Sequence, residues 1–258
     1  SPYLLSLTFY LLTAPVVFLF SGLMAMAGLG AAFLFVPFFY YLGVSLAEAA
    51  PVALLLNAVS LALATVNYWR GRLIDWRMGL PMALFAVVLA PFGAWLTPQV
   101  DKSILLALFT LFLIFAGTMM LFYQAKTPTR PVNAGKVWLI GAGVGSGAGF
   151  IGGLLGVGGG NFIVPALILL GLDANRAAAT SAVAVVVSSL SGFLGHVSVG
   201  SLDMMFLAIM AVMAAAGSLA GSQLMKEKLS SSQLKKIIGV VLWLIAAKMG
   251  LDTVQSFL

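Results

Sequence analysis

The hydrophobic pattern of this chain consists of long apolar runs separated by short polar or glycine-rich breaks. Several runs, such as 3–26, 104–123 and 237–251, approach or exceed the roughly 17 to 25 apolar residues with which a helix crosses a bilayer. The pattern predicts an all-α protein whose helical segments alternate with these breaks. The expected helices are 3–26, 31–44, 48–68, 78–96, 104–123, 136–155, 161–172, 175–196, 202–225 and 233–257.

The composition makes lipid the expected solvent of these helices. Hydrophobic residues form 62% of the chain and charged residues only 8%, whereas a soluble domain is about half apolar and roughly a quarter charged. A soluble core of this size could not bury so much apolar surface. We therefore expect a multi-pass protein in the lipid bilayer of the cell membrane, which in a bacterium is the inner membrane. The net charge of +6 then belongs to cytoplasmic loops and not to nucleic-acid binding.

The chain contains an internal repeat at an offset of 128 residues. Glycine, proline and aspartate positions carry the information, because apolar segments match each other easily. The corresponding pairs are Gly28–Gly156, Gly30–Gly158, Pro37–Pro165, Gly43–Gly171, Asp75–Asp203 and Gly93–Gly221. The repeat divides the chain into a first transmembrane repeat, 1–123, a cytoplasmic linker, 124–136, and a second transmembrane repeat, 137–258. Prolines in the linker oppose helix formation.

Each half has a long helix, a glycine-rich break and a shorter helix, and the break either bends the chain or reverses it. If each break only bends the chain, Lys and Arg are distributed over both sides of the membrane. If each break reverses the chain, almost all of them share one side, opposed by Lys102 and Lys248. The positive-inside rule favours the second arrangement. We therefore expect two inverted repeats, each a glycine-broken helix pair plus three helices, with eight to ten membrane segments.

The glycine-rich breaks carry the candidate chemistry. The second break contains Gly158, Gly159, Gly160 and Asn161, and the weaker first copy contains Gly28 and Gly30. Glycine costs roughly 1 kcal/mol in a helix, so three in succession predict an interruption. The next helix begins with free N–H groups and a positive dipole end, which an anion satisfies. Because broken backbone at membrane depth is tolerated where protein or a cavity lines it, we expect an anion site; a packing kink is the alternative.

The second copy of the motif resembles a known family. Residues 149–167 read GFIGGLLGVGGGNFIVPAL and are followed by Ala-Ala-Thr180-Ser181. This pattern is similar to that of the TauE/SafE sulfite exporters, also called toluene sulfonate uptake permeases, and the repeat extends the resemblance over nearly the whole chain. It implies transport of sulfite, organosulfonates or related anions, with Thr180 and Ser181 near the substrate. The first copy departs from it at Ala31–Ala32 and Val52–Ala53, so we expect the anion in the second repeat.

Polar side chains form stripes on the helices that follow the breaks. They are Asn57, Ser60, Thr65 and Asn67 in the first half, and Thr180, Ser181, Ser188, Ser189 and Ser191 in the second. Such groups either bond neighbouring membrane helices or line a pathway, and the depth of Asn57 favours the pathway. His196, the only histidine, could couple transport to protons, but an interfacial role is favoured. Asp75 and Asp203 start helices, which predicts capping.

Together with the resemblance, these observations predict a secondary transporter or facilitator that exports small sulfur-containing anions such as sulfite or organosulfonates. The expected binding residues are Gly158, Gly159, Gly160, Asn161, Thr180, Ser181, Asn57, Gly28 and Gly30. The sequence has no phosphate-binding loop followed by Lys and no metal-ligand spacing, so we expect neither cofactor nor metal. An anion channel, a non-transporting partner subunit and a membrane-embedded enzyme are the alternatives; the acidic residues lie at segment ends, which argues against an enzyme. Association of several copies of the chain into a homo-oligomer is compatible with the sequence.

Overall fold

A computed structural model describes residues 7–27, 29–122, 133–196, 204–226 and 231–257. Within these ranges the chain forms ten α-helices and no strand, which confirms the all-α prediction. The helices are α1 Leu7–Ala27, α2 Ala32–Tyr41, α3 Leu46–Arg70, α4 Trp76–Leu96, α5 Lys102–Phe122, α6 Ala134–Leu155, α7 Gly160–Leu169, α8 Ala174–His196, α9 Met204–Lys226 and α10 Ser231–Phe257. Gly28, Asp203 and most of the expected linker lie outside the described residues.

Six of the described helices are long and apolar enough to cross a membrane. These spans are Leu46–Arg70, Trp76–Gln99, Lys102–Phe122, Ala134–Leu155, Ala174–His196 and Met205–Gln223. The helices α2 and α7 have 10 residues each and are therefore about 15 Å long. That is roughly half of the 30 Å hydrocarbon core of a bilayer. The protein thus combines full-length membrane helices with two half-length helices, each of which follows a glycine break.

The repeat in the sequence recurs in the backbone. Corresponding helix ends in the two halves lie 128 residues apart. Ala27 and Leu155 are last residues of helices, and the matching first residues are Ala32 and Gly160, Leu46 and Ala174, and Trp76 and Met204. Backbone angles repeat as well, since Gly30 and Gly158 have φ of 75° and 69°, and Gly43 and Gly171 have φ of 90° and 106°. The matched glycines therefore mark positions where the chain takes the left-handed conformation that other residues avoid.

The helices pack mainly across the two halves. The helix α1 packs on α9, and α6 packs on α4. Two further pairs, α3 with α9 and α4 with α8, are also in close contact. Glycines bring these helices close: a Cβ on Gly93 would collide with the carbonyl oxygen of Phe150, and a Cβ on Gly221 with that of Gly22. Gly149 of α6 likewise lies against the backbone of α4. Small residues at membrane helix contacts allow this approach, so glycine holds the halves together.

Two polar clusters join helix ends from different parts of the chain. The carboxylate of Asp75 accepts a hydrogen bond from the Met78 N–H at 3.2 Å, which confirms its predicted capping role. Its other oxygen lies 3.3 Å from Nη2 of Arg176 at the start of α8. At the far end of α2, the Lys248 Nζ lies 4.1 Å from the centre of the Tyr41 ring. These contacts fasten α8 to the α3–α4 turn and α10 to α2.

Substituting Gly149 by Val tests the glycine-mediated packing. The added side chain would meet the backbone of Ala86, so α4 and α6 would have to separate, at a cost of about 1 to 3 kcal/mol. Gly135→Val is the matched control on the same helix, because no atom lies within 4 Å of a Cβ built there. Thermal unfolding in detergent measures both variants. Equal melting temperatures would contradict the packing argument.

Candidate functional site

Each break consists of one left-handed glycine followed by a residue of ordinary backbone conformation. Gly158 has φ 69°, and Gly159 has φ −98° and ψ −1° before α7 begins. In the first half, Gly30 has φ 75° and Ala31 has φ −102° and ψ 1°. Because the second position has a negative φ, its backbone conformation does not require glycine. The departure of the first copy from the glycine triplet therefore leaves the backbone of the break unchanged.

The side chain of Asn57 lies between the two breaks. Asn57 is fully buried, and its Oδ1 accepts a hydrogen bond from the Ala32 N–H at 3.3 Å. Its Nδ2 donates to Oγ of Ser189 at 2.9 Å. A Cβ on either Gly30 or Gly158 would collide with the Asn57 amide. The interhelical role considered for Asn57 is thus confirmed, and the same side chain caps the first half-length helix.

The second break has no equivalent of this cap. The residue that corresponds to Asn57 in the repeat is Val185, which has no hydrogen-bonding group. The N–H groups of Phe162 and Ile163 bond to the Gly159 carbonyl at 3.1 Å and 3.2 Å. Among the described residues, those of Gly160 and Asn161 have no acceptor. The two breaks share backbone angles but differ at the first helical N–H, which bonds to Asn57 in the first break (Ala32) and has no acceptor among the described residues in the second (Gly160).

The side chain of Asn161 adds a further donor beside these N–H groups. Asn161 is 4% exposed, and its Nδ2 has no partner in the described part of the chain. A buried donor without a partner costs roughly 1 to 3 kcal/mol, and the positive end of the α7 dipole favours negative charge nearby. Donors of this kind, gathered at one helix N-terminus, form a site for a ligand with anionic oxygens.

The remaining expected site residues lie in different surroundings. The hydroxyl of Thr180 accepts a hydrogen bond from the Asp75 N–H at 2.9 Å, at the contact between α8 and the start of α4. Ser181 is fully buried, and its Oγ has no partner within the described ranges. Ser181 and Ser189 share one face of α8, two turns apart. The structure therefore brings Asn57 beside Gly30 and Gly158, and it gives Thr180 a structural hydrogen bond.

His196 ends α8 about two turns beyond Ser189. The residue is 1% exposed, so its side chain is buried within the helix bundle. Its Nδ1 lies 3.0 Å from the carbonyl oxygen of Gly192, and its Nε2 has no partner among the described residues. In the same residues, no group of three His, Cys, Asp or Glu could hold a metal.

The sequence did not predict two further residues, which bond to carbonyl groups at the ends of the helices before the breaks. The Tyr68 hydroxyl donates to the Ala25 carbonyl oxygen, and the Thr97 hydroxyl donates to the Leu154 carbonyl oxygen at 2.8 Å. Both carbonyls belong to the last turn of a helix that ends at a break, where acceptors lose their intrahelical partners. The bonds join distant segments, and no spacing in the sequence signals them. Each bond satisfies one of the carbonyl acceptors that precede a break.

The bundle of long apolar helices with two half-length helices defines the class as a polytopic α-helical membrane protein. The sequence profile of the family "Sulfite exporter TauE/SafE" matches residues 13–249, so the chain belongs to that family and is a membrane transporter. A curated relative is the "Probable membrane transporter protein YunE" of Bacillus subtilis (strain 168). It is 24% identical over 206 residues, which cover 72% of this chain and 74% of YunE. The resemblance seen in the sequence is confirmed.

Replacing Asn57 by Leu tests its connection to both breaks. The Ala32 N–H and the Ser189 hydroxyl would lose their partners, and each buried unsatisfied group costs about 1 to 3 kcal/mol. Ser189→Ala removes only one of these bonds and serves as the comparison. We expect thermal unfolding in detergent to show a clearly larger loss for Asn57→Leu. A loss no larger than that of Ser189→Ala would refute the connection.

Proposed function

We propose that the protein is a secondary transporter, acting as an exporter, of small sulfur-containing anions such as sulfite or organosulfonates. The observation that carries this proposal is the set of free donors at the second break, formed by the Gly160 and Asn161 N–H groups and the Asn161 amide. Membership of the TauE/SafE family supports the substrate class. The anionic oxygens would bind these donors, with Ser181 and Asn57 as further contacts.

The physical chemistry of the second break favours an anion over a neutral ligand. Hydrogen bonds from an N–H to an ionised oxygen are roughly twice as strong as those between neutral groups. The α7 dipole adds attraction, and burial among apolar residues weakens screening by water. None of the residues that line the space at Asn161 is cationic, so no side-chain charge there would hold the anion too tightly for release. Uncharged donors suit a transporter that must bind and then release its substrate.

We also propose that the two repeats are inverted about a pseudo-two-fold axis in the membrane plane, with the basic loops in the cytoplasm. A chain that only bent at its breaks would separate Arg176 from Arg70, Arg72 and Arg77 by the membrane. The contact of Arg176 with Asp75 at 3.3 Å supports the reversal, because Asp75 lies beside those three arginines in the sequence. The 15 Å length of α2 and α7 agrees with half-crossing segments that return to their own side.

Alternating access would then follow the packing of the helices. The contacts of α1 with α9 and of α4 with α6 join the halves closely, so rocking of one whole repeat against the other would break this packing. The helices α5 and α10 pack chiefly on each other and make few backbone contacts elsewhere. Movement of this pair against the remaining helices would open the second break to either side with the least loss of packing.

Asn161→Asp tests the anion site without changing the size of the side chain. A carboxylate there would satisfy the free N–H groups itself and repel an anion. Loss of one charge-assisted hydrogen bond costs about 1.5 to 3 kcal/mol, so we expect sulfite counterflow into proteoliposomes to fall about tenfold or more. Asn175→Asp, at the exposed start of α8, makes the same charge change and should retain counterflow. Equal counterflow in both variants would overturn the site.

Counterflow by the unsubstituted protein separates a carrier from a channel. A carrier exchanges labelled sulfite against unlabelled sulfite inside the vesicle, whereas a channel dissipates the gradient without exchange. We expect exchange with sulfite or with a sulfonate such as benzenesulfonate. Failure of every anion of this class to bind or move would refute the proposed function.

His196 is the candidate for proton coupling, because it is buried and its Nε2 has no partner in the described residues. Histidine can change its charge near neutral pH. If it couples transport, His196→Gln should abolish accumulation driven by a pH gradient, while counterflow without a gradient persists. Gradient-driven accumulation that survives the substitution would exclude this role.

A further inference from the structure

A cavity of about 250 Å³ lies between α5, α6 and α7, directly beside the second break. One water molecule needs only roughly 10 to 15 Å³ measured in this way, so the space exceeds that of a few waters. The residues that define it include Phe115, Gly143, Gly147, Ala148, Asn161 and Phe162. Its walls are apolar except for the Asn161 amide, whose unpartnered Nδ2 is the donor described above.

The first half has larger side chains at the positions that correspond to the walls of this cavity. At the repeat offset, Gly143, Gly147, Ala148 and Asn161 correspond to Pro15, Leu19, Phe20 and Phe33. Phe33 is fully buried. The ring of Phe20 packs against those of Phe35 and Phe38, with centroids 6.4 Å and 6.0 Å apart. The backbone angles of the break repeat in both halves, and the smaller side chains of the second half leave volume beside it.

The open side of the cavity is formed by glycine. Gly143 and Gly147 lie one turn apart on the exposed face of α6, and no atom lies within 4 Å of a Cβ built on either. Neither glycine has a positive φ, so backbone conformation does not require them. Packing does not require them either, in contrast to Gly149 on the opposite face. What they provide is volume next to Asn161.

We propose that this cavity is an apolar subsite for the organic part of the substrate, and that Gly143 and Gly147 set the size of the group it accepts. The proposal rests on the proposed function, since the anionic oxygens bind the donors of the second break. An aryl or branched alkyl group attached to a sulfonate would then lie against Phe115 and Phe162. The preferred substrate is an anion with an apolar body, and inorganic sulfite uses only half of the site.

The geometry joins the two parts of the site. Asn161 belongs both to the free donors at the start of α7 and to the wall of the cavity. Ala148, on the opposite wall, lies so close to Gly159 that a Cβ built there would be 2.9 Å from its methyl group. A ligand bound through anionic oxygens at Asn161 therefore has the cavity as its nearest free space.

The test measures uptake of benzenesulfonate and of sulfite by the same proteoliposomes. The double substitution Gly143→Leu with Gly147→Leu adds side chains where the structure leaves room, and Gly147→Leu copies the Leu19 of the first half. Burying an aromatic ring in an apolar site contributes more than tenfold in affinity. We therefore expect the ratio of benzenesulfonate to sulfite uptake to fall about tenfold or more. Gly135→Leu, near the start of α6 and outside the cavity, should leave the ratio unchanged.

The outcomes distinguish this inference from the proposed function. If the unsubstituted protein moves sulfite but no sulfonate with an apolar body, the subsite is refuted while the transporter stands. If it moves neither sulfite nor such a sulfonate, the proposed function itself is refuted. If it moves both and the double substitution leaves their ratio unchanged, the cavity holds something else, for example a lipid chain, and the inference is overturned. Thermal unfolding of the double variant and of Gly135→Leu confirms that both remain folded.

Discussion

The rest of the structure depends on the side-chain amide of Asn57, which stands between the two interruptions of the helices. Its oxygen accepts the Ala32 N–H and its nitrogen donates to Ser189. A broken helix in a membrane must satisfy its polar backbone groups within the protein. One fully buried amide therefore closes the first break and fixes the position of the second. The unequal chemistry of the halves follows, because Val185 occupies the equivalent position in the other repeat.

Close contact between backbones is the second constraint, and glycine provides it. Gly93 and Gly221 occupy equivalent places in the repeat and lie against the backbones of α6 and α1. In a membrane, apolar burial does little to bring helices together, so small residues and van der Waals contact must do so. Other glycines have a different purpose: Gly30 and Gly158 are needed for their positive φ. The high glycine content of the chain thus combines close packing, positive backbone φ and open volume.

Most of the fold could be predicted from the sequence, since a ten-segment pattern and a gapless repeat depend on local composition. The starts of α2 and α7 fall within a residue of expectation at Ala32 and Gly160. The capping role of Asp75 was also accessible, because it depends on position in one helix. Contacts between helices could not be predicted in this way. Neither the Asn57–Ser189 bond nor the bond between Thr180 and the start of α4 has a local signal in the sequence. The cavity beside Asn161 could be recognised only once the halves were compared in three dimensions.

Packing across the two halves bears on how such a chain could arise. The principal neighbour of α1 is α9, and that of α4 is α6, so each repeat lacks within itself the partners of its glycine faces. A chain of half this length would expose those faces unless two copies associated. The unit before duplication was in that case a dimer with two identical breaks. Fusion into one polypeptide removed the requirement for identity, and one break could then be sealed by side chains while the other kept its donors.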